Sequence, residues 1–509
     1  EIYTSLEPVE KKEYYLLSPA QKRMFVLQQM DRESTTYNMP QAFLISGEPD
    51  TGKLKTAFGM LIKRHESLRT SFHMIENEPV QRIHDEVDFQ IEPLGRGAPP
   101  WSPSIPTTPF IRPFDLSRAP LIRVGLLKKA EAEYIMMVDM HHIISDGVSH
   151  GILAEDFFTL YNGGDLEPMR IQYKDFSQWQ NSAKEQEKIK KQESYWLKEF
   201  AGEIPVLNLF TDFPRPPVQS FAGSSLNFEL PEDVIDALRH IAVTGGVTVY
   251  MVLLAVYNIL LGKLTGREDI IVGTPIAGRR HADLEKIIGM FVNTLALRNY
   301  PENRKGFGDF LTDVKKRTLE AFENQDYQFE DLVEKVSVNR DPARNPIFDT
   351  VFALQNIGDH TKELPPLRVE TTSLKIQPYE IETGISKFDL TLTCIENEKK
   401  LVCSFDYCTK LFKEETIKRF ITYFRQVVSA IIEDRNREIA TVEIITPAEK
   451  KQILYEFNDT TSPFPREKTV LQLFEEQAAG IGDRIAVVDR GQAFTYRILN
   501  EIAGQLAGR

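Results

Sequence analysis

Ten consecutive residues, Met140-His141-His142-Ile143-Ile144-Ser145-Asp146-Gly147-Val148-Ser149, carry two imidazoles, a carboxylate and a glycine in close order. An imidazole exchanges protons near neutral pH, a carboxylate fixes a neighbouring cation or helix end, and a glycine bares its backbone N–H. Together they suit a base, a fixed turn and an oxyanion donor. They also suit a metal site, or a packed histidine pair beside a helix cap. Alternation along a strand separates the two rings: His142 shares a face with Met140, Val138 and Met136, and His141 with Asp139 and Met137. Neighbours on a strand do not converge on one zinc ion, so the metal reading of His141, His142 and Asp146 is disfavoured. One ring is expected to face solvent or substrate and the other to be packed and hydrogen-bonded. Gly147 is expected to allow positive φ.

The elements around this stretch would aim it. Tyr134-Ile135-Met136-Met137-Val138 reads as a buried strand. Ile152, Leu153, Phe157, Leu160 and Tyr161 recur at helical spacing and stop at Asn162-Gly163-Gly164. Chemistry gathers at such strand-to-helix junctions, because the first N–H groups of a helix have no internal acceptor.

The whole chain, 509 residues with 42% hydrophobic, exceeds one compact core and predicts several domains. A formal charge of −13 without a basic run argues against a nucleic-acid partner. The apolar run Val249 to Leu261 is too short to span a membrane, so no membrane association is expected. The start Glu1-Ile2-Tyr3 has no signal-peptide character and no initiator methionine, as expected of a piece of something longer. Three cysteines, Cys394, Cys403 and Cys408, suit a reducing, cytoplasmic setting better than a disulfide framework.

Along the chain, Ser18-Pro19-Ala20-Gln21 predicts a capped helix start, and Leu54, Ala57, Phe58, Leu61 and Ile62 predict an amphipathic helix. Ahead of that helix, Gly47-Glu48-Pro49-Asp50-Thr51-Gly52-Lys53 imitates a phosphate loop. Leu54 stands where Ser or Thr should be, and the two acids would repel phosphate, so an ordinary turn is expected. Residues 95–113 and 205–217 are loops, and a long charged helix is expected from Tyr173 to about Phe200. Strands are predicted at 121–127, 134–142, 225–230, 269–273, 348–355, 388–396 and 400–407, with helices at 248–264, 306–321, 329–337 and 414–432. The class is α/β with mixed sheets. No nucleophile elbow, Cys–His pair or dinucleotide loop is present, which points to direct transfer.

HHIISDG resembles the HHxxxDG signature of acyltransferases related to chloramphenicol acetyltransferase. SPAQKRM (18–24), RHESLRTSF (64–72), MHHIISDGVS (140–149), YKDFSQW (173–179), IGMFVNTLALR (288–298), NQDYQFE (324–330) and RDPARNPIFD (340–349) are similar, in order, to the seven motifs of condensation domains of nonribosomal peptide synthetases. The resemblance covers residues 14 to about 445. It implies two chloramphenicol acetyltransferase-like lobes in a V-shaped pseudo-dimer with a tunnel between them. The parts would be a linker (1–13), an N-lobe (14–180), a C-lobe (181–445), a second linker (446–465) and the opening of an adenylation domain (466–509). That last piece lacks ATP-binding parts and is expected to be inactive.

The implied reaction is amide formation, in which the α-amine of an acceptor aminoacyl thioester attacks a donor thioester. Both groups ride on 4'-phosphopantetheine arms of partner carrier proteins, upstream and downstream, and no cofactor binds directly. By the resemblance His142 contacts the amine and the Gly147 N–H orients substrate or oxyanion. His141 and Asp146 are structural, and Asp146 pairs with an arginine, for which Arg279, Arg69 and Arg23 are unranked candidates. Ser149 and Asn293 are expected near the tunnel. The AQKR form of the first motif resembles domains taking an L-configured donor. An epimerisation domain would carry a different first motif and an EGHGRE-like element, and a heterocyclisation domain would replace the histidines by aspartates. A non-catalytic carrier-docking platform is the rival of another class.

Overall fold

Ser18 starts the first helix as its chemistry demands. Its hydroxyl accepts from Gln21 N–H, the Gln21 side chain accepts from Ser18 N–H, and Pro19 opens helix α1 (Pro19–Met30). Helix α2 (Thr51–Arg64) buries Leu54, Ala57, Phe58, Leu61 and Ile62, the predicted stripe. Asp50 caps it by accepting from Lys53 N–H at 2.9 Å, so the phosphate-loop look-alike is a helix cap. The computed structural model describes residues 5–94, 110–336, 341–356, 369–370, 375–379, 381, 384–396 and 400–508. Residues 1–4 of the first linker, most of the 95–113 loop and Arg340 of the last motif lie outside these.

The chain separates into two compact units, Glu1–Ile445 and Thr446–Arg509. The first holds two six-stranded sheets of mixed direction. One runs Val369–Glu370, Lys375–Tyr379, Gln41–Ser46, Glu133–Met140, Ile122–Ala130, Ile91–Pro93. The other runs Asn293–Asn299, Ile270–Ile276, Thr350–Asn356, Leu390–Glu396, Leu401–Cys408, Gly223–Leu230. A small sheet of Tyr15–Leu16, Glu78–Ile83 and Thr70–Ile75 stands beside the first. The apolar run near Val249 is helix Val249–Thr265, and its residues Met251 to Leu261 are all buried in the second core. Among the described residues no single helix is long and apolar enough to cross a membrane. Cys394 and Cys403 face each other across neighbouring strands as buried free thiols.

Elements of residues 181–445 pack with residues 14–180. Lys375–Tyr379 pairs antiparallel with Gln41–Ser46 in the first sheet, and Leu284, Ile287, Ile288, Met290 and Phe291 pack into the first core. The charged helix from Tyr173 is two helices, α4 (Tyr173–Gln180) and Ala183–Glu199, because Ser182 caps a new start. The stretch 446–465 contains helix Pro447–Lys451 with its own capping box at Thr446. The second unit continues with helix Val470–Gly480, the hairpin Ile485–Asp489 with Gln492–Thr495, and helix Tyr496–Ala507.

Candidate functional site

The central strand Glu133–Met140 stops two residues before His142. His141 N–H still donates to Leu121 O at 3.1 Å, whereas His142 N–H turns to Tyr37 O at 2.9 Å. His141 Nδ1 then accepts from Ile143 N–H, a local bond that folds His142–Ile144 into a 3₁₀ turn. Strand alternation therefore never reaches His142, and its grouping with Met140, Val138 and Met136 does not hold. Those three lie in the first core, while His142 is half-buried.

His141 is the packed ring. It has no exposure, and its two nitrogens are used by Ile143 N–H and by Gln28 Oε1 at 3.2 Å. Since Nδ1 accepts, Nε2 carries the proton and donates to Gln28. Burial pushes its basicity down to about 3. His142 has the opposite tautomer. Its Nδ1 donates to Ser145 O at 2.9 Å, so Nε2 keeps the lone pair. Nε2 has no partner among the described residues. Burial, followed by the nearby charge of Lys387, lowers this ring to about 4, so it is neutral at physiological pH.

Asp146 anchors the turn. It is fully buried and caps helix α3 (Gly147–Tyr161) by accepting from Ser149 N–H at 2.8 Å. Arg279 Nη2 reaches both its oxygens, at 3.1 and 3.3 Å, and Phe291 N–H donates at 3.1 Å. Of the three candidate arginines it is Arg279 that pairs with Asp146. Its other nitrogen, Nη1, donates to Leu284 O and Ile287 O, and its guanidinium lies 4.0 Å from the Phe291 ring centroid. Arg23 pairs with Glu330 at 2.8 Å, and Arg69 with Glu66 at 3.6 Å while also donating to His84 O.

Ser149 belongs to this scaffold, and Asn293 is held by other partners at the start of the strand Asn293–Asn299. The buried Ser149 Oγ lies 2.7 Å from Asp146 Oδ1 and accepts from Arg279 Nη2 and Gly289 N–H at 3.0 and 3.1 Å. Asn293 Nδ2 donates to Gln325 O and Tyr327 O, and its Oδ1 accepts from Thr294 N–H. Gly147 is exposed at the first position of α3. It is not among the residues with positive φ, and a Cβ there would meet nothing within 4 Å. Helix geometry provides its N–H with no acceptor.

Residues distant in sequence brace the same turn. Tyr173 OH lies 2.7 Å from Ser18 Oγ and also donates to Met290 O; Ser67 Oγ donates to Ile288 O at 2.6 Å; Gln21 Nε2 donates to Ile143 O at 3.4 Å. Gly289 must lack a side chain, since its Cβ would stand 1.9 Å from the Tyr173 ring. Gln28, Tyr37 and Lys387 were not singled out from the sequence. Gln28 continues the α1 spacing after Met24 and so carried a signal; Tyr37 and Lys387, in irregular segments, carried none. Among the described residues no three His, Cys, Asp or Glu side chains gather as metal ligands.

The family whose sequence model matches, over residues 11–454, is the condensation domain. Gramicidin S synthase 2 of Brevibacillus brevis is 48% identical over 509 residues, 100% of this chain and 11% of that protein. Tyrocidine synthase 3 of Brevibacillus parabrevis is 49% identical over 505 residues, 99% of this chain and 8% of that protein. The chain thus spans about a tenth of the length of these relatives. Among solved structures, a four-domain nonribosomal peptide synthetase bound to AMP and glycine has a TM-score of 0.84 at 24% identity, covering 99% of this chain and 39% of that one. The X-domain from teicoplanin biosynthesis has a TM-score of 0.75 at 21% identity, covering 87% of this chain and 100% of that one.

Proposed function

This chain belongs to the condensation-domain family, and on that premise we propose that it forms the peptide bond between two carrier-bound thioesters in nonribosomal peptide synthesis. The α-amine of the acceptor attacks the donor carbonyl, a C–N bond forms, the C–S bond breaks, and the amine proton leaves as the donor thiol is released. The observation that carries this reading is the tautomer of His142: with Nδ1 bound to Ser145 O, Nε2 presents a lone pair from a neutral ring.

A ring whose conjugate acid has a pKa of about 4 is a poor store for a proton. His142 therefore accepts a hydrogen bond from the amine and aims its lone pair, and placement supplies most of the acceleration. An α-amine with an ordinary pKa near 8 is already partly neutral at pH 7. The Gly147 N–H, exposed at the start of α3, faces the oxygen that gains charge in the tetrahedral intermediate. The 4'-phosphopantetheine arms are part of the substrates, delivered by an upstream donor and a downstream acceptor carrier protein through a tunnel between two acetyltransferase-like halves. Two six-stranded sheets, each backed by its own core, support that arrangement. The donor is L-configured, on the AQKR form of the first motif. Residues 466–509 open an adjacent adenylation domain. Similarity to the synthetases continues to the end of the chain, beyond the condensation match.

The test is condensation from two aminoacyl-loaded carriers. His142→Ala should lower the rate of dipeptidyl thioester formation by about 100-fold or more while leaving the unfolding transition in place. Undiminished product would remove His142 from the reaction. A wild-type chain that binds both carriers but joins nothing would support a docking platform instead.

A further inference from the structure

Lys387 lies in the short segment between Ile385 and the strand Leu390–Glu396, and its position is built rather than accidental. Its carbonyl accepts from Gln219 Nε2 at 3.0 Å and from Asn345 Nδ2 at 3.4 Å. Next to it Ser386 N–H donates to Phe221 O, and two residues on Asp389 is clamped by Arg215. Gly223 packs so closely that a Cβ there would lie 2.4 Å from Ser386 N, which leaves the segment one path.

From this frame the side chain reaches toward the histidine turn. Its Nζ stands 5.0 Å from the centroid of the Tyr37 ring, and Tyr37 is the residue whose carbonyl takes His142 N–H. Lys387 also lines a cavity of about 410 Å³ with Thr36, Asn38, Ile111, Phe388 and Asp406. Among the described residues it makes no ion pair. Asn38, on the same wall, has a buried Oδ1 without a hydrogen bond and forms a backbone bridge to His141.

A cation held over the ring of the residue that binds His142 N–H, largely removed from water, repels a second positive charge on the turn. We propose that Lys387 is a positioning residue of the amide-forming step: its ammonium, fixed over the Tyr37 ring beside the histidine turn, adds to burial in keeping the His142 imidazole unprotonated as the pH falls, so that Nε2 stays open to the acceptor amine. The inference rests on the reading of His142 given above. The charges facing the two groups can be named. His142 is faced by Asp146, which favours its protonation, and by Lys387, which opposes it; the neighbouring His141 is itself neutral. Lys387 is faced by Arg23, itself paired with Glu330, and by Asp406 across the cavity. Burial, with Arg23 adding to it, lowers Lys387 to about 8, so the ammonium is largely charged at neutral pH, where His142 must be free.

The experiment is an NMR titration of the nine histidines, with the His142 signal assigned by its loss in His142→Gln. It is read beside the pH profile of condensation from loaded carriers. Lys387→Met should raise the His142 pKa by roughly one pH unit, the effect of a unit charge at short range in a partly desolvated site. The further fall in rate that sets in near pH 4, beyond the limb set by the acceptor amine, should move up with it, and Lys387→Arg should restore both. An unmoved His142 pKa in folded Lys387→Met would overturn the proposal, and Lys387→Gln gives the same readout should the Met variant fail to fold. A moved pKa with an unmoved rate profile would also overturn it, while locating the error in the role assigned to His142 and not in the coupling.

Discussion

Replacing Asp146 by alanine removes the carboxylate on which the turn is assembled, and the cost can be worked from its partners. Arg279 is left with a guanidinium whose side chain is 6% exposed and has no counter-charge. Breaking a buried pair from one side costs about 3 to 5 kcal/mol. The cap on α3 is lost as well, worth about 1 kcal/mol. The N–H of Phe291, buried and previously bonded at 3.1 Å, is orphaned for about 1 kcal/mol more. These losses overlap, so about 4 to 6 kcal/mol is the expected total, a large share of the 5 to 15 kcal/mol that holds a typical domain together. Urea unfolding followed by fluorescence should show a much lower midpoint with little change in slope. The decisive variant is Asp146→Ala with Arg279→Met. Removing the stranded charge should make the double variant at least about 2 kcal/mol more stable than the sum of the single losses predicts. A single variant within about 1 kcal/mol of wild type, or a double variant that carries the full sum, would refute the buried-charge argument.

Three glycines near the turn should respond differently to alanine. At Gly289 the Cβ would overlap the Tyr173 ring, and at Gly278, with φ of +65°, it would stand 2.0 Å from Phe291 O; each should cost about 1 to 3 kcal/mol in chemical denaturation. Gly147→Ala meets no atom and sits in a helix, so stability should hold or rise by up to about 1 kcal/mol, while a methyl group on the open face lowers the condensation rate. The pH profile follows from the depressed His142 value. The ring gains its proton only as pH falls toward about 4, so between pH 8 and 5 the rate should follow protonation of the acceptor amine alone, about tenfold per unit below the amine's pKa. A second break near pH 6.5 would show that His142 is not held neutral.

Much of the chain was legible without coordinates because the signals are local. Ser18, Pro19 and Gln21 announce their helix through bonds made within four residues, and the α2 stripe follows from a period of 3.6. Asp146 caps the helix that its position before Gly147 predicts. The ordered motifs carried the family, and some of their residue types have a reason in individual contacts. Tyr173 against Gly289 is one such contact and Arg279 against Asp146 another.

What the sequence could not decide were choices made between segments far apart. Arg23, Arg69 and Arg279 are chemically alike; only the packing of Leu284 and Ile287 beside the turn gives Arg279 the carbonyls that hold it on Asp146. Ser149 and Asn293 looked available until the fold brought Gly289, Gln325 and Tyr327 within reach of their side chains. The strand Lys375–Tyr379 joins the first sheet across more than 300 residues of chain, a pairing no local pattern encodes. The histidines themselves mark the boundary. Their presence and spacing were in the sequence, but which nitrogen holds the proton was decided by Gln28 and Ile143 N–H at His141 and by Ser145 O at His142, because a tautomer is set by what lies across the ring.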